Sequence, residues 1–125
     1  MRYKRIALGF IFIWFFIGGI AHFAATAYFL KIVPPSLPFR SAAVYISGFF
    51  ELAGAFAILH PQLRRSAGIG LCLLTLAVTP ANIYMWQNPQ LFPGIPVQLL
   101  SLRLVIQAML LACIWWATKP DNAYQ

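Results

Sequence analysis

Four long apolar runs, at about residues 6–30, 41–60, 66–86 and 97–118, dominate the chain. Each is close to the roughly 20 residues that an α-helix needs to cross a hydrocarbon core about 30 Å thick. The connectors between them carry the helix breakers: Pro34, Pro35 and Pro38 in the first, Pro61 in the second, Pro89, Pro93 and Pro96 in the third. Prolines that fall between apolar runs mark turns, and short connectors make successive helices antiparallel neighbours. The pattern predicts an all-α fold, an integral membrane antiparallel four-helix bundle forming one domain over residues 1–125. There is no fixed-period repeat and no low-complexity segment.

The opening MRYKR, the run behind it and the small residues Ala24, Ala25 and Ala27 have the outline of a cleavable signal peptide. That run is longer than the roughly 7–15 apolar residues of a signal sequence, so an uncleaved first span is expected. Composition points the same way, with 62% of the residues apolar and 9% charged. A soluble domain averages about 45–50% and about 25%, which excludes a water-soluble globule. Eleven Phe, five Tyr and four Trp exclude a solvated coil.

Net charge +7 raises the question of nucleic acid, and the positions of the bases answer it. Arg2, Lys4 and Arg5 precede the first run, Arg64 and Arg65 lie between the second and third, and Lys119 follows the fourth. Lys31 and Arg40 flank the first connector. This is a membrane-flank distribution rather than a basic stripe with interleaved aromatics, so no nucleic-acid partner is expected. Six bases on one side against two on the other place both termini in the cytoplasm of a multi-pass protein of the bacterial inner membrane. Trp86, Trp115 and Trp116 suit interfacial belts.

Polar residues inside the runs carry the functional interest. His22, Glu51, Asn82 and Arg103 all point to the same outer half of the bilayer, at depths of about 6–15 Å, and Gln107 shares a helix face with Arg103. Helical spacing puts each on a small or polar stripe: Gly18, His22 and Thr26; Ser47, Gly48, Glu51 and Gly54; Thr75, Thr79 and Asn82; Arg103 and Gln107. Such stripes suit a bundle enclosing a polar pocket. A charge in the bilayer centre costs about 2.5–3.5 kcal/mol on insertion scales, so Glu51 and Arg103 are expected to pair or to face a cavity. Pro80 has no N–H for the carbonyl of Leu76, so a kink is expected there, freeing acceptors beside Asn82.

Each of these residues also has a purely structural reading. Glu51 with Arg103 can be a clamp, and His22, Asn82 and Gln107 can be helix-to-helix hydrogen bonds. Gly18, Gly19, Gly48 and Gly54 read first as close-packing positions, Lys31 and Arg40 as snorkelling anchors. Cys72 and Cys113 are not a CxxC pair and read as packing residues. No His and Cys spacing makes a metal or haem site, no phosphate-binding loop is present, and Ser47 has no hydrolase motif around it.

Several blocks together resemble the DoxX-like family of small four-span membrane proteins, over about Phe16 to Trp116. They are GGIAHF at Gly18–Phe23, IVPPSLP at Ile32–Pro38, YISGFFELAGA at Tyr45–Ala55, HPQLRRSAG at His60–Gly68, VTPANIYM at Val78–Met85 and RLVIQ at Arg103–Gln107. The resemblance implies His22, Glu51, Pro80, Asn82 and Arg103 as a polar centre. It also implies a setting in membrane redox chemistry, as in the subunits of a thiosulfate:quinone oxidoreductase. The methylamine-utilisation branch carries paired redox cysteines, and this chain departs from that pattern.

The function expected is binding of a quinone or other small lipophilic ligand within a membrane redox complex, with no intrinsic cofactor. His22 or Asn82 would hydrogen-bond a carbonyl, Glu51 would relay a proton and Arg103 would set its protonation state. The partners expected are the lipid bilayer, a redox protein and further copies of the chain. Two other readings stand beside it: a non-catalytic assembly or scaffold subunit, and a proton-coupled small-molecule exporter. A fixed cation beside Glu51 argues against the exporter, because it would compete with a cationic substrate.

Overall fold

The computed structural model describes residues 2–120, which form helices and connections with no strand among them. The helices are α1 (Arg2–Ala24), α2 (Thr26–Ile32), α3 (Arg40–Ala57), α4 (Arg64–Ala77), α5 (Thr79–Gln87) and α6 (Val97–Thr118), with a single 3-10 turn at Pro89–Leu91. Two of the apolar runs are therefore broken helices. The first breaks at Ala25, at φ −123° and ψ 42°. There the Thr26 hydroxyl donates to the carbonyls of His22 (2.9 Å) and Phe23 (3.1 Å), a side-chain capture of helix carbonyls that bends the chain. The second breaks at Val78, just ahead of Pro80 in the first turn of α5, where the missing N–H removes a helical bond.

Arginines fasten two of the connections. The Arg40 guanidinium donates to the carbonyls of Leu30 and, at 3.2 Å, Val33, joining the end of α2 to the start of α3. Arg64 donates to the carbonyls of Ile58 (2.8 Å) and Leu59 (3.3 Å), satisfying acceptors left over at the end of α3.

α1 packs on α3, α3 on α4, α4 on α6 and α6 on α1, so each long helix has two long neighbours and α3 lies across from α6. α2 and α5 touch each other and close one end. Glycines set the closest approaches. A Cβ at Gly48 would lie 2.7 Å from the Cβ of His22, one at Gly54 2.4 Å from Leu71, and one at Gly68 2.0 Å from the Thr118 hydroxyl. Lipid supplies no hydrophobic force between helices, so such close contact is what holds helices together there. Ile11, Phe15, Ile58, Leu71 and Ile114 fill the core at one end, and Met85, Phe92 and Leu100 fill it at the other.

The outer surface carries exposed Phe10, Ile17, Leu73, Val105 and Met109. An apolar coat of this kind suits lipid rather than water. Three helical segments are long and apolar enough to cross a membrane: Arg2–Ala24, the α4–α5 unit Arg64–Gln87, and Val97–Thr118. α3 is 18 residues long and carries both Arg40 and Glu51. The start of α1 and the end of α6 come together, with Lys4 Nζ donating to the Lys119 carbonyl at 3.0 Å and lying 5.9 Å from the Trp116 ring.

Candidate intramembrane polar site

The five polar residues singled out in the sequence fall into two groups. In the first, His22 on α1 faces Glu51 on α3, with Nδ1 at 3.0 Å from Oε2 and both side chains nearly buried. The same Nδ1 is 2.8 Å from the carbonyl of Gly18. A carbonyl only accepts, so Nδ1 carries the proton and donates. Glu51 Oε2 is buried and has no aligned hydrogen bond, so its contact with His22 is one of charge and proximity. Gly18 leaves room for the carboxylate: a Cβ there would sit 3.5 Å from Oε2, in ordinary contact. The His22 ring stacks on Phe29 of α2, with centroids 4.0 Å apart and planes 18° from parallel.

The second group joins α5, α6 and α2. Arg103 donates to the Tyr28 hydroxyl at 3.2 Å and to Asn82 Oδ1 at 3.3 Å. Asn82 Nδ2 donates to Gln107 Oε1, and Gln107 Nε2 donates to the Thr79 hydroxyl. Thr79 in turn donates to the carbonyl of Thr75 at 3.0 Å. The chain of donors and acceptors from Arg103 to Thr75 is continuous. Neutral partners spread the charge of Arg103 over several dipoles, which makes a half-buried cation tolerable. α2 links the two groups, since Phe29 lies on His22 while the neighbouring Tyr28 binds Arg103.

The expected pairing of Glu51 with Arg103 is corrected by this geometry. The close polar partner of Glu51 is His22, and Arg103 is held by Tyr28 and Asn82. The reason is azimuthal: α3 packs on α1, α2 and α4, whereas α6 packs on α1, α4 and α5. Equal depth does not bring opposite corners together. Among the remaining acids and thiols, Asp121 lies outside the described residues, while Cys72 and Cys113 are free, half-buried thiols. Among the described residues no three His, Cys, Asp or Glu side chains come together.

A domain of unknown function, DUF8561, matches residues 11–118. The chain belongs to this family. No curated protein and no solved structure matches it. The DUF8561 match covers every residue of both polar groups, from Gly18 to Gln107, as well as the breaks at Ala25 and Val78 that aim them inward.

Sequence reasoning passed over Tyr28 and Phe29, because aromatic residues near a helix end read as interfacial or packing residues. The signal was present only in combination: Thr26 is a helix-bending hydroxyl, and beyond the bend Tyr28 and Phe29 turn toward the interior.

Proposed function

We propose that this DUF8561 protein is a four-span protein of the bacterial inner membrane, related to DoxX-like proteins, whose His22–Glu51 pair handles a proton beside a small lipophilic ligand such as a quinone. The observation that carries the reading is Glu51 Oε2, a buried acceptor with no aligned donor, set against an imidazole whose proton is directed to Gly18. A buried carboxylate oxygen without a donor is costly unless a proton or a ligand hydroxyl meets it. A quinone, when bound, accepts two electrons and two protons, and in this reading the electrons would come from a partner protein. Glu51 holds or yields the proton, His22 fixes the carboxylate in place, and Phe29 fixes the imidazole plane. The Arg103 network keeps α5 and α6 in register and stands apart from the chemistry.

Four crossings are supported by the meeting of the start of α1 with the end of α6. Lys4 at the start of α1 touches Lys119 at the end of α6, which favours an even number of crossings, with α3 as the fourth. The distribution of Lys and Arg favours cytoplasmic termini.

The test is equilibrium binding of a short-chain ubiquinone analogue to the purified protein in lipid nanodiscs. Saturable binding is expected, with a loss of at least about tenfold for Glu51→Gln and for His22→Leu. Absence of saturable binding, or equal binding by Glu51→Gln, overturns the proposal.

A second reading is an assembly subunit, favoured by the continuous bonding of Arg103, Asn82, Gln107 and Thr79, which suits helix-to-helix adhesion. Copurification of a partner that survives Glu51→Gln would support it. The exporter reading predicts instead that an added cationic substrate releases protons from reconstituted protein.

A further inference from the structure

We propose that α2 is a gate over His22 and Glu51, latched shut by the bond from Arg103 to the Tyr28 hydroxyl, and that a lipophilic ligand enters only when that latch lets go. The gate rests on the reading of His22 and Glu51 as a ligand site.

Entry requires something to move. His22 and the Glu51 Oε2 atom are both buried, so the acceptor that a ligand would meet is shut off. Three elements close on His22: its own helix α1, α3 through Gly48 and Glu51, and α2 through Phe29. α1 and α3 are locked backbone to backbone, for a Cβ at Gly19 would lie 2.7 Å from Leu52 and one at Gly48 2.7 Å from His22. Helices packed that closely do not part by small steps. α2 is different. It has seven residues and is bounded by non-helical Ala25 and Val33. A helix that short has little stability of its own and takes its position from what it touches.

What it touches forms one relay. Arg103 donates to the Tyr28 hydroxyl at 3.2 Å. The Tyr28 ring meets that of Phe29 edge to face, with centroids 5.5 Å apart and planes at 88°. Phe29 in turn lies flat on His22, with centroids 4.0 Å apart. Both rings ride on one helical turn, so a roll of α2 that lifts Phe29 off the imidazole also draws the Tyr28 hydroxyl from Arg103. Asn82 Oδ1 still accepts from Arg103 at 3.3 Å, so opening strands no cation. The Arg40 guanidinium holds the carbonyls of Leu30 and Val33, which anchors the far end of α2 to α3 and limits the motion to a roll. In the closed position Tyr28 and Phe29 lie against Met85, Phe92 and Leu100, and that packing favours closure.

The first experiment reads the exposure of His22 without any ligand. Diethyl pyrocarbonate carbethoxylates an unprotonated imidazole nitrogen, and in a His60→Gln background His22 is the sole histidine of the purified full-length chain in nanodiscs. Peptide mass spectrometry gives its rate of modification. Tyr28→Phe is expected to raise that rate about fivefold, as loss of one hydrogen bond between membrane helices permits. Phe29→Leu should raise it at least as much, and Tyr28→Phe added to Arg103→Met should raise it no further. Ser101→Ala removes the acceptor of Trp86, a bond between α5 and α6 that does not involve α2, and should leave the rate unchanged. An unchanged rate in Tyr28→Phe overturns the latch, as does an equal acceleration by Ser101→Ala. With the short-chain ubiquinone analogue, Tyr28→Phe should speed association and dissociation alike by about fivefold and hold affinity within about twofold, because a looser gate changes passage and not the bound state. Weaker binding without faster association overturns the gate. Absence of analogue binding overturns the ligand site instead, and the modification rates still decide whether α2 opens.

Discussion

Glu51 Oε2 lies 3.0 Å from His22 Nδ1 across the crossing of α1 and α3, and Gly48 is what lets the two helices come that close. His22 and Glu51 therefore depend on each other and on a backbone approach that a side chain at Gly48 would block.

Groups in direct contact couple energetically, whereas separated groups add. In a double-mutant cycle of Glu51→Gln and His22→Leu, stability in detergent is expected to show a coupling of about 1–3 kcal/mol. The cycle of Glu51→Gln with Arg103→Met should be additive within about 0.5 kcal/mol, because α3 and α6 sit at opposite corners. A larger coupling in the second cycle would restore the pairing that the sequence suggests.

The glycines supply a series with its own controls. Alanine at Gly48, Gly54 or Gly68 would put a Cβ within 3 Å of a neighbouring helix, and overpacking of this kind costs about 1–3 kcal/mol. Alanine at Gly9 or Gly70 meets nothing within 4 Å. Those two variants should be neutral or more stable by up to about 1 kcal/mol, since alanine is the better helix former. Thermal unfolding of the five proteins separates the two classes, and equal effects throughout would refute the crossings.

How much of this was legible in the sequence differs between fold and site. The all-helical character and the long apolar helices follow from hydropathy and length, because a backbone in lipid must satisfy its own hydrogen bonds. The break near Pro80 follows from its missing N–H, whereas the break at Ala25 has no proline and depends on Thr26 turning back onto His22 and Phe23. In the site, the sequence names His22, Glu51, Asn82, Arg103 and Gln107 and gives their depth. It does not give their partners, because partners depend on which helices are neighbours around the ring. Tyr28, which binds Arg103, reads as one more interfacial aromatic until the bend ahead of it is known.

Removing the Tyr28 hydroxyl tests the second polar group. Tyr28→Phe takes one acceptor from Arg103 and should cost about 1 kcal/mol, within the range of hydrogen bonds between membrane helices. In an Arg103→Met background the same change should cost nothing further, because the donor is gone. Gln107→Ala should cost more than Tyr28→Phe, since Asn82 and Thr79 both lose a partner. Denaturant titration in mixed micelles measures all four proteins, and a full cost for Tyr28→Phe in the Arg103→Met background would show that Tyr28 acts by packing.

The fourth crossing proposed for α3 is argued from the contact between Lys4 and Lys119. If α3 stayed on one side of the membrane, three crossings would put Lys4 and Lys119 on opposite faces of a core about 30 Å thick, at odds with their 3.0 Å contact. With four crossings, Tyr3 and Gln62 share one face, while Leu37 and Gln90 share the other. Single cysteines at these four exposed positions, in a Cys72→Ser/Cys113→Ser background, can be labelled in intact cells with a membrane-impermeant maleimide. The positive-inside rule puts Leu37→Cys and Gln90→Cys in the labelled pair, with Tyr3→Cys and Gln62→Cys reacting only after permeabilisation. Leu37→Cys and Gln62→Cys reacting from the same side would mean that α3 does not cross, and would remove Glu51 from the membrane interior.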